Sequence, residues 1–523
     1  MITKKHVKYC LTALFAAILA LAVWASSVSG SFLALADEED TSSTTAKFYS
    51  DYDSVSELKS AAEELTEELV SEGAILMKND STLPLKGTEK VSVFGVTADN
   101  LIGASDSSGA FSSGDTASDE TVGDALDAAG FKVNPTLQNF YLNDTSEIGE
   151  ETLDFTGKAE ASLDVYDDAA VVVFSREGGE GEDAPTTTTP SGEQETTDEE
   201  HAALLDGNRK HSLMLTDSEE ELIDYVTEKF DTVIVLLNTS NAMEVAQLQN
   251  NDKINAIVDI SRPGVGGLAG VAGILNGTYN PSGHLVDEWM TDFTADPTWY
   301  NFGDNSQTGS STTYCYSDGT VANSSVSNGV SKSGMYGVDY EESIYLGYKY
   351  YETYYQDIYT GAQEAPDAYS SLNDEEAATA WYEDAVTYPF GYGMSYTTFS
   401  MNAGGLYSNE SCTEELSGTI SADTFSSSVG SPAAVDKLYI PVTVENTGDV
   451  AGKEVAQVYV SAPYTSGGIE KAAVTLVGYA KTDVLEPGEE ETIVVSFNVQ
   501  DMASWDYTDA NEDGYKGDSM SLS

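Results

Sequence analysis

The chain is 523 residues long, enough for two to four domains at about 150 residues each. Asp and Glu number 88 against 23 Lys and Arg, a net charge of −65, which repels nucleic acid and anionic membrane surfaces and excludes nucleic-acid binding. A hydrophobic fraction of 41% with 31 Tyr, 16 Phe and 5 Trp excludes a disordered acidic chain, because those side chains bury enough apolar surface to outweigh the ordering entropy.

At the start, Lys4, Lys5 and Lys8 precede an apolar run over residues 11–25, and Ala34-Leu35-Ala36 makes a small-x-small site before Asp37. That pattern fits a signal peptide or, if uncleaved, an N-terminal membrane anchor over residues 1–36. The expected location is extracellular or at the cell surface. Residues 37–53 form an acidic Ser/Thr linker that cannot build a core.

From Ser54 a helix-like stretch runs to about Ser71. Short runs apolar on both faces then alternate with amphipathic stretches: VSVFG from 91, AAVVVFS from 169, DTVIVLLN from 231 and INAIVDI from 254. Such strands separated by helices predict an α/β fold, an open, mostly parallel sheet with helices on both faces, over residues 54–400. The clearest helix spans 218–230, with Asp217 as N-cap, Glu220 as its capping-box partner, and a buried stripe of Leu222, Ile223 and Val226. Long loops occupy 177–208 and 304–337. The first leaves the carboxyl end of a strand, where ligands bind in open parallel sheets, and it carries Glu177, Glu180, Glu182 and Asp183.

A connector over 401–435 leads to a change of period. Leu438, Ile440, Val442 and Val444 alternate, 446–449 make a turn, Ala456, Val458 and Val460 alternate, and Ile493, Val495, Phe497 and Val499 follow Pro487-Gly488. Period two predicts an antiparallel β-sandwich over 436–523.

Six segments in order carry a specific resemblance: EGAILMKNDSTLPL from 72, SREGGEGED from 175, LTDSEEELI from 215, NPSGHL from 280, YEESIYLGYKYY from 340 and YPFGYGMSYTTF from 388. Together they resemble the α/β sandwich domain of glycoside hydrolase family 3, β-glucosidase-like, and the tail resembles the fibronectin type III-like module that follows it. The resemblance implies a retaining β-glycosidase acting on oligosaccharides or β-glycosides, with Glu180 in the Gly-Glu-Gly segment as acid/base. Arg176 and Asp183 are the candidate substrate-binding residues. Ala184 stands where the family usually has Arg, and His284-Leu285-Val286 where it usually has Arg-Leu-Pro. Glucosides, xylosides and arabinosides therefore all stay open.

A retaining glycosidase also needs a nucleophilic carboxylate about 5–5.5 Å from the acid/base. In the family it comes from a (β/α) barrel, and no such pattern precedes Glu72. The resemblance therefore implies inverted domain order, with the barrel downstream or on another chain, no nucleophile among these residues, and no turnover by this chain alone. Ser50-Asp51-Tyr52 resembles the family's nucleophile segment, but no apolar strand precedes it, so Asp51 reads as a linker residue. A non-catalytic carbohydrate-binding or scaffold protein is the alternative.

No cofactor is expected. Glycines 264, 266 and 267 fit a loose dinucleotide fingerprint with Asp287 near the ribose position, yet a Gly-rich helix start explains them. The acids from Asp509 to Asp513 resemble half a calcium loop, with Met520 where a bidentate Glu belongs. No metal site is expected, because Cys10, Cys315 and Cys412, and His6, His201, His211 and His284, lack metal-ligand spacings. Cys315 and Cys412 could form one disulfide.

Overall fold

The structure, a computed structural model, describes residues 49–98, 101, 120–143, 157–176, 210–264, 266–299, 342–416, 435–464 and 466–506. It also describes the backbone of 314–315, 321–322 and 520–521. The signal or anchor and the calcium-like loop 509–514 lie outside the described residues.

Ser54 caps helix α1 (Val55–Gly73) by accepting from the Glu57 N–H, which satisfies one of the free donors of the first turn. Strands β1 (Ile75–Asn79) and β2 (Lys90–Phe94) follow, then α2 (Val122–Ala128), β3 (Lys132–Val133), α3 (Pro135–Asn143), α4 (Lys158–Leu163) and β4 (Ala169–Arg176). Next come α5 (Asp217–Lys229), β5 (Val233–Thr239), β6 (Ala256–Asp259) and α6 (Gly267–Leu275). The six strands form one sheet in the order β1-β6-β5-β4-β2-β3. All neighbours are parallel except β1, which runs antiparallel to β6.

Every residue of β4, β5 and β6 is buried, as continuous apolar runs require when helices cover both faces. On one face Val172, Phe174 and Val235 pack with Leu222, Ile223 and Val226 of α5. On the other, Val171, Val173 and Ile234 pack with Leu268, Val271 and Ile274 of α6. Helices α1 and α6 cross closely because their contact is glycine: a Cβ on Gly270 would stand 2.7 Å from the Glu67 carbonyl oxygen. Gly267 lies in the same contact, where a Cβ would stand 2.7 Å from Val70 Cγ2.

The α5 cap corrects the sequence-based expectation by one residue. Thr216 is the N-cap and Glu219 its box partner, whereas Asp217 and Glu220 were expected. Thr216 can take the cap because its hydroxyl accepts from the Glu219 N–H at 3.1 Å while the Glu219 carboxylate accepts the Thr216 N–H at 2.8 Å.

After β7 (Trp289–Met290), a helical hairpin of α7 (Tyr348–Thr360) and α8 (Asp374–Ala385) leads into β8 (Val386–Tyr388), which pairs with β7. Strand β9 (Phe399–Ala403) pairs antiparallel with β10 (Lys437–Asn446), which pairs with β13 (Glu490–Asn498). Strands β11 (Val455–Val460) and β12 (Thr475–Lys481) form the facing pair. Leu438, Val442, Val444, Ile493, Val495 and Phe497 are buried, following the period-two pattern. Among the described residues Cys412 is a free cysteine; the side chain of Cys315, its expected partner, lies outside them.

The two units are joined by polar contacts. Lys453 and Lys481 of the β-sandwich both pair with Glu72 at the end of α1, and Lys481 Nζ also donates to the Glu72 carbonyl at 3.1 Å. Asn280 Nδ2 donates to the Ala451 carbonyl at 3.0 Å.

Candidate active site

From β2 the chain moves outward to β3, then returns to place β4 on the opposite side of β2. That reversal is the topological switch point of the sheet, where the carboxyl ends of two neighbouring parallel strands diverge and leave a crevice. Gly95, just past β2, has φ +110, and a Cβ there would lie 2.4 Å from the Val173 carbonyl. Only glycine fits this approach to β4.

Residues 177–209 leave β4 at this edge. Glu180, Asp183, Glu177 and Glu182 all lie outside the described residues. The described chain brackets them with Arg176 at one end and Lys210 at the other.

Arg176 is buried, and all five guanidinium donors are used within the chain. Nη1 donates to the Ser175 carbonyl and Glu219 Oε1, both at 2.8 Å. Nη2 donates to the Met214 carbonyl and Glu219 Oε2, both at 2.6 Å, and Nε donates to the Ser212 carbonyl. Arg176, expected to bind substrate, thus fastens the outgoing end of 177–209 to its returning end. Ser212 Oγ and Asn241 Nδ2, at the same edge, are buried without a hydrogen-bond partner among the described residues.

Further along this edge, Ser175 Oγ donates to Asn238 Oδ1 at 2.9 Å, and Asn238 Nδ2 donates to the Ser261 carbonyl at 2.6 Å. Asp259, the last residue of β6, accepts the Ser261 N–H at 2.8 Å. Burial pushes its carboxyl up to about 7, against the pull of that N–H. Glu244 Oε1 lies 3.1 Å from His211 Nε2 and accepts the Phe293 N–H at 2.7 Å. The His211 ring tilts against Trp299 at 4.7 Å between centroids.

These groups fix the mouth of the crevice rather than line up two carboxylates for attack and protonation. The sequence reading missed Asp259, Asn238 and Glu219. The available signal was positional, since Asp259 is the last residue of β6 and Asn238 the first polar residue after the apolar run of β5. Asp51 is exposed and lies outside any strand, with Tyr52 N donating to Ser50 Oγ at 3.1 Å. Among the described residues no cluster of His, Cys, Asp and Glu could hold a metal ion. Among them, too, no helix is long and apolar enough to cross a membrane.

The sequence pattern of the glycosyl hydrolase family 3 C-terminal domain matches residues 74–348, and that of the fibronectin type III-like domain matches 454–514. The chain is 28% identical over 461 residues to β-glucosidase A of Butyrivibrio fibrisolvens, covering 85% of this chain and 46% of the relative. It is 26% identical over 454 residues to a β-glucosidase of Ruminococcus albus, covering 84% of this chain and 36% of the relative. Among solved structures, β-glucosidase 3B of Thermotoga neapolitana in complex with glucose superposes with a TM-score of 0.57 at 27% identity, covering 86% of this chain and 50% of that one. The chain spans half the length of these relatives or less.

Proposed function

The chain belongs to glycoside hydrolase family 3, and from that premise we propose that it is the acid/base-bearing portion of a retaining β-glycosidase, β-glucosidase-like. Glu180 is the acid/base and Asp183 a sugar contact. The nucleophile is supplied by a barrel domain downstream or on another chain, so these residues alone do not turn over substrate. The leader sends the protein outside the cell or anchors it at the surface.

The observation that carries this reading is the origin of 177–209 at the switch point beside β2. A carboxylate on a segment leaving this edge can face a second domain docked over the crevice. Neighbouring acids at 177, 182 and 183 disfavour a charged Glu180, as a general acid requires. Arg176 serves this reading as the tie at the base of the segment.

The test supplies a barrel by co-expression and compares Glu180→Gln with the parent on two leaving groups. The rate on poorly leaving alkyl glycosides should fall by about 10²–10⁴, with much less loss on acidic phenols. Equal rates on both would overturn the assignment of Glu180. Sugar binding without hydrolysis in every combination would favour the carbohydrate-binding alternative.

A further inference from the structure

Glu288 sits immediately before β7 and is fully buried. Its Oε2 accepts the Phe390 N–H at 2.8 Å, and its Oε1 lies 3.1 Å from the Tyr382 hydroxyl oxygen. The same hydroxyl lies 2.8 Å from Glu352 Oε1. A phenol has one proton to donate, so it cannot satisfy two ionised carboxylates. One of the three groups must bring a second proton, or a buried anion is left facing a lone pair.

Glu352 is half-buried, whereas Glu288 is cut off from water, so the cost of a desolvated charge falls on Glu288. The proton therefore belongs on Glu288, giving a chain in which Glu288 donates to Tyr382 and Tyr382 donates to the Glu352 carboxylate. We propose that Glu288, Tyr382 and Glu352 form a pH-sensitive latch that fastens the α7–α8 hairpin to the sheet domain through one shared proton. The three residues come from the turn before β7, from α8 and from α7, and Phe390 follows β8, so the latch closes where both ends of the hairpin meet the body.

The groups that act on Glu288 reinforce this. Asp287 on the same turn accepts the Glu288 N–H at 2.8 Å. Tyr351 on α7 and Tyr459 on β11 are coupled to it as well. All are acids or weak acids. Burial pushes the Glu288 carboxyl up to about 7, with Glu352 and Asp287 adding to the rise against the Phe390 N–H and the Tyr382 hydroxyl. The folded state thus keeps a proton that the unfolded chain has released. The latch contributes fully below the ordinary Glu value of 4.5 and is lost as pH rises through about 7.

The experiment measures protons released on thermal unfolding of the full chain at about pH 6, from calorimetry in buffers of different ionisation enthalpy, for the parent and Glu288→Gln. The parent should release about one proton more; the contribution of Asp259 cancels between them. Amides of 374–388 should also lose hydrogen-exchange protection, corrected for intrinsic rate, as pH rises from about 6 to about 8 in the parent only. Equal proton counts, or hairpin protection indifferent to pH, would overturn the proposal. If Glu288→Gln does not fold, Glu352→Gln replaces the half-buried partner and should lower the pH midpoint of release. An unmoved midpoint would equally overturn it.

Discussion

Arg176 and Glu219 lie side by side with two parallel charge-assisted hydrogen bonds, at 2.8 and 2.6 Å, and Glu219 Oε2 also accepts the Thr216 N–H that starts α5. One carboxylate thus caps a helix and ties the end of β4 to it across the 42 intervening positions 177–218. Arg176→Met leaves the buried Glu219 charge without its cation and should cost about 3–5 kcal/mol, read by urea unfolding. Arg176→Lys should recover little, since a single ammonium cannot reach five acceptors. A loss under about 1 kcal/mol would show that the pair is dispensable.

Asp259 gives a second pH dependence. Its folded carboxyl titrates at about 7, above the ordinary 3.8, so its favourable contribution is complete below 3.8 and disappears as pH rises through about 7. Asp259→Asn keeps the shape without the titration. The parent should lose stability relative to this variant by a few kcal/mol, to order of magnitude, between about pH 4 and pH 8. Parallel stability curves for the two proteins would refute this.

Glu72 is where the β-sandwich grips the sheet domain. Burial works against its charge, but Lys453 and Lys481 prevail and hold the carboxyl below the usual range. Glu72→Ala should cost about 1 kcal/mol, because the site is partly exposed and screened. Calorimetry should then resolve an earlier, separate transition for the β-sandwich. A single unbroken transition with unchanged midpoint would mean that the remaining contacts, Asn280 to the Ala451 carbonyl among them, couple the two units without Glu72.

At a net charge of −65 self-repulsion opposes the compact state. Raising NaCl from about 0.05 M to about 0.5 M shortens the Debye length to a few ångströms and should raise Tm by several degrees. A flat or falling Tm would mean that lost ion pairs outweigh relieved repulsion.

The parallel sheet was legible because β4, β5 and β6 are apolar without interruption, and the β-sandwich because its core residues alternate. Strand β1 was not, since ILMKN is short and half polar; its place at the sheet edge follows from pairing with β6, a contact no local pattern encodes. The α7–α8 hairpin was missed because its buried residues are few, only Tyr351 and Ile358 on α7 and Ala377 and Ala378 on α8. At the candidate site the motif pointed to the segment after β4, whose acids lie outside the described residues. The identity of a partner cannot be read from a motif, and an arginine beside an acidic loop looks the same whether it holds a sugar or, as Arg176 does, the backbone.

Strand β9 covers one side of β10 along its five residue pairs, from Phe399↔Asn446 to Ala403↔Val442. It leaves β10 as an interior strand although 33 positions lie between the two in the chain. A fragment begun at the compositional change near residue 436 would strip that cover and turn β10 into an open edge rich in Val, Ile and Tyr. Such an edge recruits other chains, so separate expression of the β-sandwich depends on starting ahead of Phe399.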